Sequence, residues 1–104
     1  MTLKFFNENY NLEDYEVLSC YIKDNKLNLC VNVVAYLELI ANGYRPELEV
    51  NHIITFIFDL VHDDYEFKKP IKAKNSFKDG ILYLDINESE LRIENNSIEI
   101  IKNL

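Results

Sequence analysis

The two histidines are the first residues that could act as a general base or bind a metal ion, because imidazole titrates near neutral pH. His52 and His62 bound the segment 52–62, whose β-branched and aromatic residues predict a strand. A strand of that length would separate them by roughly 33 Å, too far to share a metal or an active site. Each would act alone, and a single histidine at a strand end is more often solvated than catalytic.

The segment His62–Asp64 is the densest polar cluster in the chain, and adjacent carboxylates in a turn could bind Ca²⁺ or Mg²⁺. A calcium loop of the EF-hand type also needs alternating acidic positions, a central glycine and a closing glutamate, which this segment lacks. We therefore predict a solvated turn and no metal site.

Sequence signatures of enzymes are also missing. The serines lack the Gly-x-Ser-x-Gly pattern of an activated nucleophile, and only the two histidines could serve as their base. The two glycines, Gly43 and Gly80, are too far apart to form a phosphate-binding loop. Carboxylates are so numerous that no particular pair indicates acid–base catalysis. The sequence predicts a protein that is not an enzyme and uses no cofactor.

The two cysteines, Cys20 and Cys30, have a spacing that matches no zinc motif. Asp24-Asn25 between them predicts a two-residue hairpin turn. In that hairpin the cysteines lie on opposite faces, so we expect two free thiols in a reducing compartment, with Cys20 in the core. The predicted cross-strand pairs are Ile22–Leu27, Cys20–Leu29 and Leu18–Val31.

Two further hairpin turns are predicted. Asp79-Gly80 is the strongest hairpin signal in the chain. Asn95-Asn96 predicts another, with Arg92 and Glu99 forming a surface ion pair. The expected pairs are Phe77–Leu82, Asn75–Leu84 and Ala73–Ile86 for the first turn, and Ile93–Ile98 and Leu91–Ile100 for the second.

The remaining segments are mostly extended. Residues 52–62 are apolar on both faces, which indicates a central strand, and a short strand is expected at Tyr65–Lys69. We expect the first hairpin to continue as a strand through Leu39 and then a loop at 44–47, since a residue before proline is biased away from helix. Apolar residues at helical spacing leave a short helix near residues 34–42 as the alternative.

About seven strands joined by short turns predict a single all-β domain over residues 1–104, either an antiparallel sandwich or an open barrel. A chain of 104 residues has room for one core and not for two domains with a cleft between them. Large multi-domain enzymes are therefore excluded.

The net charge of the chain restricts the class of molecule that it can bind. Eleven basic and 18 acidic residues give a net charge of −7, which repels the phosphates of nucleic acid and favours a basic protein. The same charge would also serve solubility alone.

The N-terminus resembles no export signal, and the longest apolar run is far shorter than the ~20 residues needed to span a membrane. We expect a cytoplasmic protein that binds no membrane.

Acid-flanked tyrosines are the best candidates for contact with a basic partner, because tyrosine supplies contact area and carboxylates accept hydrogen bonds from Arg and Lys. The loop at residues 44–49 and the turn at residues 62–66 form the predicted patch. Its residues are Tyr44, Glu47, Glu49, His62, Asp63, Asp64, Tyr65 and Glu66.

Three segments, Leu12–Val17, Leu27–Val31 and Ile54–Val61, resemble the small all-β immunity proteins of bacterial polymorphic toxin systems. The resemblance implies an acidic, cytoplasmic, non-catalytic protein that caps a toxin domain. Binding residues vary within such families, so it assigns no role to any single residue.

Three functional hypotheses follow. The first is a non-catalytic acidic protein that occludes a basic partner, such as a toxin domain. The alternative is a structural module that forms a homo-oligomer through an exposed edge strand. An enzyme would instead need a pocket where His52 or His62 meets at least two carboxylates.

Overall fold

Residues that alternate between apolar and polar, divided by turns rich in Asp and Asn, fold here into antiparallel strands. The structure is a computed structural model that describes the backbone of residues 1–39 and 43–103 and the side chains of residues 1–33 and 52–102. The elements are α1 (Leu3–Asn9), a 3₁₀ helix (Leu12–Asp14), β1 (Glu16–Lys23), β2 (Lys26–Leu39), β3 (Gly43–Asp59), β4 (Tyr65–Glu66), β5 (Ala73–Lys78), β6 (Ile81–Ile86), β7 (Ser89–Ile93) and β8 (Ile98–Asn103).

The strands form two antiparallel sheets. One has the order β4-β1-β2-β3-β8 and the other the order β5-β6-β7. Neither sheet closes on itself in the described part of the chain, so the all-β prediction is confirmed and the molecule is an open sandwich and not a barrel. No helix among the described residues is long and apolar enough to cross a membrane.

The core lies between the two sheets and is built from alternate residues of the strands. Burying each large apolar side chain contributes about 1.5–3 kcal/mol, and this term holds the sheets together. The largest fully buried side chains are Phe6, Phe56, Phe58, Leu3, Leu12, Leu27, Leu29, Leu82, Leu84, Ile86, Ile93 and Val31.

The first hairpin has the predicted turn and most of the predicted register. Asp24 and Asn25 have φ of 53° and 61°, the left-handed values of a two-residue hairpin turn, and Cys20 pairs with Leu29. The predicted pair Leu18–Val31 is wrong, because a bulge between Val17 and Ser19 places Val17 opposite Val31.

The turn and the register of the hairpin at Asp79-Gly80 are confirmed. Asp79 and Gly80 have φ of 53° and 79°, and β5 pairs with β6 in the predicted register, with Phe77 opposite Leu82 and Ala73 opposite Ile86. Glycine tolerates that φ without the steric cost of a Cβ atom.

The predicted hairpin at Asn95-Asn96 is wrong. β7 pairs with β6 through an unforeseen turn at Asn87-Glu88, where φ is 50° and 69°, while β8 crosses to the other sheet and pairs with β3. Arg92 therefore does not meet Glu99. Its guanidinium lies 3.2 Å from the Glu94 carboxylate and 5.9 Å from the centroid of the Tyr83 ring.

The β2–β3 hairpin is longer than expected. β2 continues through Leu39, as predicted, so the alternative helix is wrong for residues 34–39, and positions 40–42 lie outside the described residues. The predicted loop at 44–47 is wrong, since these residues belong to β3, opposite β2 and next to a register shift. β1 covers β2 only to Asn32 and β8 covers β3 only to Ile53, so the hairpin extends beyond its neighbouring strands as a two-stranded ribbon.

The central position of β3 between β2 and β8 is confirmed, but the strand ends at Asp59 and not at His62. Residues 60–64 form a connection that leads to β4. β4 contains only Tyr65 and Glu66, shorter than the predicted strand Tyr65–Lys69, and it pairs with β1.

The N-terminal segment covers one edge of the sandwich. The Thr2 hydroxyl caps α1 by accepting a hydrogen bond from the backbone N–H of Phe5 at 3.1 Å. Leu3 and Phe6, one turn apart, are buried in the core, and α1 packs on β5 and β6. This element was not predicted from the sequence.

Candidate functional site

The connection between β3 and β4 is the most exposed stretch of the predicted patch. Residues 61–66 are all exposed, including Val61 at 91% and Tyr65 at 57%. Two hydrogen bonds hold the connection against the β1–β2 turn. The Leu60 N–H donates to the Asn25 carbonyl at 3.0 Å, and the Asp24 N–H donates to Asp64 Oδ1 at 3.0 Å. The connection therefore has a defined position on the sandwich.

Tyr65 is fixed at the rim of this connection. Its ring makes an edge contact with the ring of buried Phe67, with 4.8 Å between the centroids, and its backbone pairs with that of Ile22 in β1. More than half of the side chain remains open to solvent. Such a held but exposed aromatic ring can contact a partner at a low cost in conformational entropy.

The connection forms one wall of an open groove of about 680 Å³. The β1–β2 turn supplies part of the same wall, and the opposite wall comes from β7 and the residues that follow it, which include Glu90, Arg92 and Glu94. His62 also lines a second depression of about 250 Å³, which Tyr65, Phe67 and Leu91 line as well. The two depressions share His62 and run side by side along β7.

The groove is acidic. Lys26 lies 2.8 Å from Asp59, and Arg92 lies 3.2 Å from Glu94, so each cation is matched by a carboxylate. The Lys26 ammonium donates a hydrogen bond to the Asp59 carboxylate, and this bond, together with the negative charge of Asp59, raises the pKa of Lys26. The carboxylates that have no ion pair among the described residues of the two depressions are Asp24, Asp63, Asp64 and Glu90.

The predicted patch is divided by the fold. His62, Asp63, Asp64, Tyr65 and Glu66 lie together at one end of β3, with Glu66 in β4. The backbones of Tyr44, Glu47 and Glu49 lie in the other end of β3, and their side chains are outside the described residues. The ten residue-to-residue steps from Glu49 to Asp59 span roughly 33 Å, so the structure does not bring the two halves of the patch together.

Sequence reasoning missed the second wall of the groove. Glu90 and Glu94 reach the site only because β7 is an edge strand beside the end of β3, whereas Asp24 reaches it from the β1–β2 turn. The sequence placed β7 in a hairpin with β8, which would have covered that edge. In the sequence, polar Glu90 beside apolar Leu91 does indicate that Glu90 faces outward, and the structure shows it exposed. Nothing in the local sequence indicates which element Glu90 faces.

The histidines differ in their surroundings. His52 is half-buried within β3, opposite Val33, whereas His62 is exposed in the groove near Asp24 and Asp59. The groove thus brings a histidine and carboxylates together, as an enzyme would require. Within the described part of the chain, however, no hydrogen bond orients the His62 imidazole, and no group of three potential metal ligands is found.

The two thiols are free and differ in burial. Burial raises the pKa of Cys20 to about 12, while Cys30 on the outer face of the sheet is half-buried. At pH 8 we expect a thiol reagent such as DTNB to modify Cys30 in the native protein and Cys20 only after unfolding. A Cys30→Ser variant should not react with DTNB until denaturant is added. Rapid modification of that variant in its native state would contradict the burial of Cys20.

Comparison of this chain with protein-family models, with curated proteins and with solved structures gives no match.

Proposed function

We propose that this protein is a non-catalytic, acidic binding protein that occludes a basic protein partner. The observation that carries the proposal is the grouping of Asp24, Asp63, Asp64 and Glu90 without ion pairs among the described residues, beside the exposed ring of Tyr65. Carboxylates in that arrangement accept charge-assisted hydrogen bonds from Arg and Lys, and the aromatic ring adds apolar contact area.

The net charge of the chain supports the same partner class. A charge of −7 attracts a cationic protein over a distance of about 10 Å at moderate salt, before any contact forms. Such steering raises the association rate, and the groove then fixes the orientation of the complex. A partner held in this way would have its basic surface covered and unavailable to its own substrate.

The resemblance to immunity proteins makes the proposal more specific: the partner is a bacterial toxin domain, and the site of action is the cytoplasm. The direct test is co-expression with the product of the neighbouring reading frame, which the proposal requires to be a toxin. We expect co-expression to restore growth and the purified proteins to form a stoichiometric complex. A toxin that kills regardless and shows no binding by calorimetry would refute the proposal.

A variant can test the role of the connection. We expect the combined change Asp63→Asn, Asp64→Asn and Tyr65→Ala to slow association with that toxin domain roughly tenfold at low salt and to weaken its salt dependence. Asparagine keeps the Oδ1 atom that accepts the hydrogen bond from Asp24, so the connection should stay folded. Stopped-flow fluorescence at two ionic strengths measures both effects.

The matched control removes two charges elsewhere. Glu8 in α1 and Glu13 in the 3₁₀ helix lie beside β5, at the opposite edge of the three-stranded sheet from β7. The double change Glu8→Gln and Glu13→Gln should alter the association rate much less. Equal effects in the two variants would show that only total charge matters and that the groove is not the binding site.

Self-association is the second candidate function, favoured by β8. This strand ends the five-stranded sheet, its outer edge has no partner among the described residues, and Ile101 is 41% exposed. Unpaired edges can pair with a second copy of the same chain. Light scattering over a range of concentrations discriminates the two functions, since a concentration-independent monomer would exclude this one.

A further inference from the structure

β7 is an edge strand whose outer backbone groups are free to pair. It ends the three-stranded sheet, and its partner β6 occupies one side only. The nearby connection 60–64 and β4 do not close the other side, since no backbone hydrogen bond joins them to β7 in the described part of the chain. An unpaired strand edge presents a row of N–H and C=O groups to any extended segment that can reach it.

The groove runs along this edge. Glu90 and Arg92, which point outward from the sheet, line the larger depression, while Ser89 and Leu91, on the alternate positions, line the smaller one. The two depressions therefore open on the two faces of β7 and meet at His62, beside the outer edge of the strand. The space beside β7 is therefore open for a strand to be added.

The two faces of such an added strand would meet different surroundings. One face would lie toward Glu90 and Asp24, and the other toward the exposed ring of Tyr65, which packs on buried Phe67. Alternation of cationic and apolar side chains satisfies both, because successive residues of a strand point to opposite faces. A second copy of this chain, with a charge of −7, would be repelled by the same carboxylates.

We propose that the basic partner binds by adding an extended segment, with alternating cationic and apolar side chains, as a strand along the free edge of β7. This inference rests on the proposed function and specifies the contact that the partner makes. Main-chain hydrogen bonds to β7 supply part of the affinity, and the carboxylates of the groove select cationic side chains.

Synthetic peptides test strand addition directly. The probe is a peptide of about ten residues with alternating Lys and Val. One comparison peptide carries N-methyl groups on two adjacent central residues. These groups remove a backbone N–H donor from each edge of the peptide strand without changing its charge. A second comparison peptide replaces Lys by Glu. We expect the Lys-Val peptide to bind and the N-methylated peptide to bind at least roughly tenfold more weakly by fluorescence anisotropy. The acidic peptide should not bind.

Hydrogen exchange locates the contact. On binding of the Lys-Val peptide, amides of Ser89–Ile93 that face away from β6 should exchange at least roughly tenfold more slowly by NMR. Glu90→Lys in the protein should weaken binding of the peptide and of the toxin domain. The matched change Glu8→Lys, on the far side of the sheet, should leave both nearly unchanged.

Failure of this inference is distinguishable from failure of the proposed function. Equal binding of the N-methylated peptide, or unchanged exchange of the β7 amides, would overturn strand addition. If a toxin complex still formed in that case, the proposed function would stand. Absence of any toxin complex, together with no binding of the cationic peptide, would overturn both.

Discussion

Replacing Phe6 with alanine is expected to lower the free energy of unfolding by about 3–5 kcal/mol. The ring is fully buried, with its centroid 4.9 Å from that of Phe56 and 5.2 Å from that of Phe58, both in edge-to-face geometry. Tyr10 packs on the same ring at 5.5 Å. The substitution removes these contacts and leaves a cavity in the middle of the core.

The effect should spread to the whole N-terminal segment. α1 has only seven residues, and a helix of that length is marginal in water without tertiary contacts. Leu3 and Phe6 are its two buried side chains, so the variant loses the larger of its anchors. We therefore expect the segment to detach before the sandwich unfolds, which would also make the native variant more sensitive to proteolysis near its N-terminus.

The adjacent residue provides the control. Phe5 has the same chemistry in the same helix but is 50% exposed, so Phe5→Ala should cost less than about 1 kcal/mol. Urea denaturation followed by tyrosine fluorescence or circular dichroism gives the midpoint for both variants. Similar midpoints for Phe5→Ala and Phe6→Ala would contradict the position of α1 on the core.

Local patterns in the sequence were sufficient to predict strands and faces where the turn chemistry was unambiguous. Asp79-Gly80 and Asp24-Asn25 favour positive φ, and each fixes a register that sends the apolar residues to one face. The bulge after Val17 could not be foreseen, because Val17 and Leu18 are equally apolar and only the packing of the core decides between them.

The arrangement of β7 and β8 shows where local reasoning fails. Asn95-Asn96 has the composition of a hairpin turn, yet the chain uses the segment to cross between sheets, while the real turn at Asn87-Glu88 contains a glutamate at φ 69°. Which sheet an apolar strand joins depends on the burial available across the whole molecule, which a short window does not contain.

The same limitation explains the candidate site. The exposure of the acidic turn at residues 62–66 follows from its composition, and the structure shows these residues exposed. The groove needs β7 to be an edge strand next to the end of β3, which is a property of topology. Sequence patterns could therefore identify one wall of the site but not the opposite wall.

Replacing Asn75 with alanine is expected to lower the free energy of unfolding by about 2–3 kcal/mol. This polar side chain lies on the core face of β5, an edge strand. Its Oδ1 accepts a hydrogen bond from the Leu12 N–H at 2.9 Å, and its Nδ2 donates to the Tyr10 carbonyl and to Asn7 Oδ1, both at 2.9 Å. These bonds join β5 to α1, to the 3₁₀ helix and to the residues between them.

The cost comes mainly from the partners that remain. Alanine removes the hydrogen-bond partner of the Leu12 N–H and of the Tyr10 carbonyl, and both groups then remain in a partly buried site. Asn75→Asp separates the two halves of the network, since a carboxylate keeps the acceptor for Leu12 but faces the oxygens of Tyr10 and Asn7 without a donor. We expect it to be at least as destabilising as alanine at pH 7.

Ser76→Ala is the matched control, because Ser76 is the next residue of β5, exposed on the opposite face. Its unfolding free energy should stay within about 0.5 kcal/mol of the unmodified protein. Urea denaturation measures all three variants, and hydrogen exchange of the Leu12 amide reports the lost bond directly. If Asn75→Ala were as stable as Ser76→Ala, β5 would not be fastening the N-terminal segment through this side chain, and the buried faces of Leu3, Phe6 and Leu12 alone would hold it in place.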